Sequence, residues 1–169
     1  EIAGALIEEF GYTSGRSYQF CDKNEAWVFQ IPTGRRYVAK RIPDDHVYMI
    51  PNNYTIHEVD FADAEHKNCY FSKDLVEYAM KNGWYQPAVP GDYSDFDFAR
   101  AYQNGPDKVH NLIRARQTWP MLLGERPEEW RPFSRKAPRK YTVAELRRLL
   151  SSHFEGTEDD YNNGYERNP

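Results

Sequence analysis

The chain has 169 residues, 40% of them hydrophobic, and a formal net charge of −4, which suits one globular domain with a sizeable core. No apolar run approaches the ~20 residues that a bilayer-spanning helix needs, so no membrane partner is expected. The mild acidity argues against nucleic acid or an anionic membrane surface as the main partner.

Glu1–Phe10 begins already in helical period, with Ile2, Leu6, Ile7 and Phe10 on one face, and reads as the end of a helix over 1–10 closed by Gly11. It has neither an initiator Met nor a signal sequence, and Asp159–Pro169 carries no cap or stop signal. The expectation is therefore a piece of a longer polypeptide, with its compartment unknown. Two cysteines, Cys21 and Cys69, are too few for a disulfide framework and lack zinc spacing. Beside Phe20 in a predicted strand, Cys21 reads as a small buried hydrophobe, and a single bridge between the two stays open.

Ser17–Asp22, Ala26–Ile31, Arg36–Ile42 and His46–Pro51 are short β-rich runs separated by polar turns, which predicts an antiparallel meander over 17–51. Trp27-Val28-Phe29 and Val47-Tyr48-Met49-Ile50 place apolar side chains on both strand faces, so the sheet should be an inner layer. The last run exits into Pro51-Asn52-Asn53. A pair of amides there is costly to bury unless every donor and acceptor finds a partner; a simple Asn-rich turn is the plainer reading.

Tyr54–Asn68 reads as irregular. Ser72 is a good N-cap for a helix over 72–82, with Leu75, Val76, Ala79 and Met80 as its apolar stripe and Gly83 closing it. Trp84–Tyr93 should be loop, and Ser94–Tyr102 a short helix. Asp107 then caps a third helix over 107–119, on which Val109, Leu112, Ile113 and Arg116 share one face before Pro120 ends or kinks it. An arginine on an apolar stripe needs a carboxylate or carbonyl partner. Arg116 is thus a candidate anion clamp, or else its stem snorkels at the helix edge.

Arg126–Lys140 reads as extended and loop-like. It sets six basic residues against two acidic ones with Trp130 and Phe133 interleaved, and a solvated loop explains it without a nucleic-acid contact. Thr142-Val143-Ala144-Glu145 is a capping box opening a helix over 142–154, with Val143, Leu146, Leu149, Leu150 and Phe154 as its stripe. His153 and Glu155 sit together at its end, without the further ligands a metal would need. No glycine-rich phosphate loop, nucleophile elbow or zincin helix is present, and no cofactor is expected. Pairing Cys21 with His46 or His57 would lack any helix N-terminus or cation to activate the thiol. Read from its residues alone, the chain is an α+β domain, hydrolase-like or ligand-binding, with amide and guanidinium groups poised.

Five runs carry something more specific: Cys21-Asp22-Lys23-Asn24-Glu25-Ala26-Trp27, Arg41-Ile42-Pro43-Asp44-Asp45, Met49-Ile50-Pro51-Asn52-Asn53, Ala115-Arg116-Gln117 and His153-Phe154-Glu155-Gly156-Thr157. In this order they resemble the PepD-type cysteine dipeptidases, relatives of the secernins, over nearly the whole chain. The resemblance implies an N-terminal nucleophile hydrolase with a four-layer αββα sandwich and a dipeptide substrate. It also implies a catalytic cysteine at the mature N-terminus, which would lie upstream of Glu1 in the remainder of the parent chain, so that this segment alone would be inactive. By the same resemblance Asn52 matches the oxyanion-hole asparagine, with Asn53 as fallback, and Arg116 matches the family's arginine. Two other readings are an N-acyl amidase of the choloylglycine or penicillin acylase type, and a noncatalytic module binding peptides or glycans through its aromatic surface.

Overall fold

The computed structural model describes residues 2–50, 53–103, 109–124 and 132–160, with the backbone alone at 109–113. Helix α1 (Ile2–Phe10) ends at Gly11, whose φ of 73° suits glycine and whose N–H donates to the Ile7 carbonyl at 2.8 Å. Strands β1 (Arg16–Cys21), β2 (Ala26–Ile31) and β3 (Val38–Ile42) then pair antiparallel in sequence. The fourth run departs from the predicted meander. Strand β4 (His46–Tyr48) leaves this sheet, and its place beside β3 is taken by β5 (Cys69–Phe71).

The apolar pattern of β4 gives the reason. Its alternating side chains must be buried in opposite directions, and a position between two cores satisfies both. Val47 and Met49 pack with Ala115, Trp119 and Leu122, whereas Tyr48 packs on the main core and meets the Phe133 ring at 5.3 Å. Helices α2 (Leu75–Lys81), α3 (Phe98–Tyr102) and α4 (Val109–Leu123) precede β4's partner, β6 (Ser134–Lys136), and the order closes with α5 (Val143–Leu150).

The four-stranded sheet carries apolar packing on both faces. On one, Val28 and Val38 join Ile56, Leu75, Val76, Ala79, Phe96 and Phe98 in the main core; on the other, Phe29, Ile31 and Ala39 meet Ile7 of α1. Gly4 lets α1 lie close against Tyr37, since a Cβ would sit 2.5 Å from the end of its ring and the ring would have to shift. This second face is only partly covered. Ile2, Leu6 and Phe10 of α1 and Tyr18 and Phe20 of edge strand β1 are exposed.

Several local expectations change. Cys21 is exposed at the end of β1, an edge strand with little cover, while Cys69 is buried, and the two are free thiols. Ser72 does not cap α2. It is buried, donating its N–H to the Tyr37 carbonyl at 3.1 Å and accepting from Tyr37 N at 3.3 Å, so it fastens the end of β5 to β3, and the helix starts after Asp74. Asp107 lies outside the described residues. Pro120 does not end α4, which runs on to Leu123. An interior proline costs about 3 kcal/mol, and burial of Trp119 and Leu122 contributes about 1.5–3 kcal/mol each against it. Helix α5 stops at Leu150, short of 154. Only its Leu149 joins the Trp119 cluster, while Val143, Leu146 and Leu150 stay exposed.

One polar side chain ties this framework together. Gln30, fully buried in β2, accepts from the backbone N–H groups of Thr55 and Ile56 at 3.1 Å each, and its Nε2 donates to the hydroxyls of Ser17 and Thr55, also at 3.1 Å. All four hydrogen-bonding positions of the amide are thereby used. Replacing it by Leu strands two buried donors, so Gln30→Leu should destabilise the fold by about 2–4 kcal/mol in urea unfolding; a loss below about 0.5 kcal/mol would show that the amide does not hold this segment.

The capping box of α5 forms as read, with Glu145 accepting from Thr142 N and pairing with Arg139 at 2.8 Å. Arg139, followed by the bonds from Thr142, holds the Glu145 carboxyl at about 2, against its ordinary 4.5. A carboxylate depressed on folding supports the helix above its unfolded value and loses that support as pH falls through the folded one. The Glu145 carboxyl carbon, followed by NMR, should therefore titrate near pH 2, and a midpoint near 4.5 would mean the box does not form in solution.

Candidate active site

The site is built from β4, the segment after it, and α4. Tyr48 ends β4, and its hydroxyl lies 2.8 Å from Thr55 Oγ1. Burial pushes that hydroxyl far above the ordinary tyrosine range, so it stays neutral. Thr55 is in turn gripped by Gln30, and the Tyr54 hydroxyl, pushed up to about 12 by burial, donates to the Ile31 carbonyl at 3.1 Å. Tyr48 on one side of Asn53 and Thr55 on the other are therefore each anchored on buried groups. Asn53 is itself buried, 8% exposed. Asn52 lies outside the described residues.

Arg116 sits on α4 one residue from Ala115, which packs with Val47 and Met49. The strand that leads to Asn53 and the helix that carries the guanidinium thus share one apolar cluster. Arg116 Nε donates to Asp159 Oδ2 at 2.9 Å and Nη2 donates to Oδ1 of the same carboxylate. Gln117 Nε2 adds a third donor at 2.5 Å, and Asp159 N–H is held by Thr157 Oγ1 at 3.1 Å. The Asp159 side chain is 1% exposed against 37% for Arg116. A carboxylate so deeply desolvated is stable only with such a fork of donors.

The Nε–Nη2 edge of Arg116 is thus taken by a carboxylate of its own chain. A ligand carboxylate using that edge would exchange with Asp159. The sequence signalled that Arg116 needed a carboxylate or carbonyl partner but not which one. Asp159 lies 43 residues away, beyond any helical spacing, and only the fold of 153–160 delivers it. That segment is self-braced. Thr157 Oγ1 donates to the Phe154 carbonyl at 2.7 Å, the Asp160 carboxylate accepts from Gly156 N at 3.0 Å, and Gly156 has a φ of 76°. His153 and Glu155 form an exposed pair at 3.4 Å and take no part in this cluster. Gln30 was missed for a similar reason, since a lone glutamine in an apolar strand carries no motif.

The family model described as Peptidase family C69 matches residues 1–169. Similar curated proteins include a "Probable dipeptidase" of Latilactobacillus sakei, 29% identical over 98% of this chain and 35% of its own length. A "Dipeptidase" of Bifidobacterium longum is 31% identical over 93% of this chain and 32% of its own. A "Probable dipeptidase B" of Lactococcus lactis is 30% identical over 95% and 34%. The chain spans about a third of the length of the curated relatives it matches. The family model runs over the chain from end to end, and the chain belongs to peptidase family C69.

Proposed function

We propose that this chain is the part of a cysteine-type dipeptidase that supplies oxyanion-stabilising and substrate-binding groups, with its sheet as one inner layer of a four-layer αββα sandwich. The observation that carries this reading is the family match over all of 1–169, joined by relatives named as dipeptidases. The braced, buried setting of Asn53 and the common cluster beneath it and Arg116 favour it further.

In this reading the nucleophile is a cysteine at the N-terminus of the mature protein, outside this chain. Its α-amine takes the thiol proton, a transfer between groups with ordinary pKa values of about 8 and 8.5. The thiolate attacks the scissile carbonyl, and the Asn52 side-chain NH₂ donates to the developing oxyanion, with Asn53 as the alternative donor. Such a donor is worth roughly 3 kcal/mol of barrier. Collapse of the intermediate returns the proton to the leaving amine, and water then releases the acyl group from sulfur. Arg116 holds the free carboxylate of the dipeptide, exchanging part of its pairing with Asp159 for it. Alone, the 169-residue chain hydrolyses nothing.

In the complete enzyme, Asn52→Ala should lower kcat by about 10²–10³ with little change in stability. An unaltered kcat removes Asn52 from the mechanism, and the same loss in Asn53→Ala instead assigns the role to its neighbour. Arg116→Met should raise KM for free dipeptides more than for their C-terminal amides; equal effects on both would rule out the carboxylate clamp and leave Arg116 as the counter-ion of Asp159.

A further inference from the structure

Strand β1 is an edge of the four-stranded sheet, with β2 on one side and no neighbour on the other among the described residues. It runs through six consecutive pairs with β2 without a bulge, and it carries neither proline nor lysine. The devices that ordinarily blunt a sheet edge are therefore missing from it. The opposite edge, β5, is only three residues long.

The side chains of β1 sort by face. Ser17 Oγ accepts from Gln30 on the side of the main core, so Tyr18 and Phe20, one position out of step, stand on the side of α1. Phe20 meets the Phe29 ring there at 6.2 Å, and both Tyr18 and Phe20 are exposed. An ion stands at each end. Arg16 is exposed, donates one N–H to the Gly15 carbonyl at 2.9 Å, and has no carboxylate partner among the described residues. Asp22, just beyond the strand, accepts from Asn24 and Glu25 N–H groups at 2.7 and 2.9 Å through Oδ1, and no cation pairs with it among the described residues. Those two bonds hold its carboxyl below the usual range, so it is ionised.

Along 16–22 the order is cation, serine, aromatic, glutamine, aromatic, cysteine, anion, which is complementary to its own reverse about Gln19. When two antiparallel strands are related by a two-fold axis normal to the sheet, each side chain keeps its face. The axis must then pass through a residue position rather than between two. Centred on Gln19, the pairing sets Tyr18 opposite Phe20 of the second copy twice, and Arg16 opposite Asp22 of the second copy twice. Centred on Tyr18 it would set Arg16 against Phe20, and centred on Phe20 it would set Tyr18 against Asp22. Only the first register matches both the rings and the charges, the two kinds of cross-strand pair that stabilise a sheet. We propose that this chain forms a two-fold dimer through antiparallel β1–β1 pairing centred on Gln19, joining two four-stranded sheets into one of eight strands. Each copy's edge is used once, so association closes at two copies. The dimer does not rest on the proposed peptide hydrolysis and stands if that reading falls.

The test is sedimentation equilibrium of the 169-residue chain over a wide concentration series. The mass should rise from 19.9 kDa to twice that value and level off. Arg16→Glu opposes like charges at both ends and should weaken the dimer about tenfold. Adding Asp22→Asn keeps the acceptor that the turn needs, removes the repulsion and should recover part of that loss. Gln19→Cys in a Cys21→Ser background sets two thiols across the axis, and mild oxidation should link the copies. A chain monomeric throughout overturns the proposal, as does a mass that climbs past two copies. So does an affinity unchanged in Arg16→Glu, no recovery on adding Asp22→Asn, or no link in the Gln19→Cys variant.

Discussion

The arrangement of this molecule rests on one amide in an otherwise apolar strand. Gln30 accepts from Thr55 and Ile56 N–H groups inside the main core, and without those bonds a loop segment would have to bury its backbone donors unpaired. The consequence is that the irregular stretch after Asn53 crosses the sheet face at a fixed height. Ile56 then fills the core beside Val28 and Val38, and His57 meets Asp97. A core glutamine of this kind stabilises little in net terms, but it excludes other placements of the segment, because each would leave several buried groups unsatisfied together.

The second constraint is the divergence of β4. By leaving the four-stranded sheet it serves two clusters at once, Tyr48 in one and Val47 with Met49 in the other. Helix α4 is thereby tied to the strand that leads to Asn53. Asp159 completes the tie from the far side, joining the last described turn of the chain to Arg116 and Gln117. Motifs far apart in sequence converge on α4, and the helix tolerates Pro120 because its buried face supplies more than the missing hydrogen bond removes.

Features that depend on neighbours in sequence were legible in it. The Thr142–Glu145 box, the glycine after Phe10 and the pairing of the first three strands all follow from local spacing, and all are present. Tertiary competition decided the rest. Ser72 has the chemistry of a cap, yet a buried backbone pair with Tyr37 claims it. The fourth strand had a strand's composition, but nothing local told whether its partner would be Val38–Ile42 or Ser134–Lys136, and the choice fell to where its two apolar faces could be covered. Of the proposed site residues, the sequence singled out the asparagine pair and the arginine, and it asked for a carboxylate or carbonyl partner for the latter. The identity of that acid, and the glutamine beneath the loop, come only from contacts across 43 and 25 residues.

The half-covered face beneath α1 has a practical consequence. Ile2, Leu6, Phe10 and Phe20 stand open beside β1, an edge strand whose outer backbone groups are free of any sheet neighbour among the described residues. An adhesive apolar surface next to an unprotected ladder is the combination from which intermolecular sheets grow. Charged replacements at Phe20 or Leu6 are the natural way to lower that tendency when this polypeptide is handled by itself.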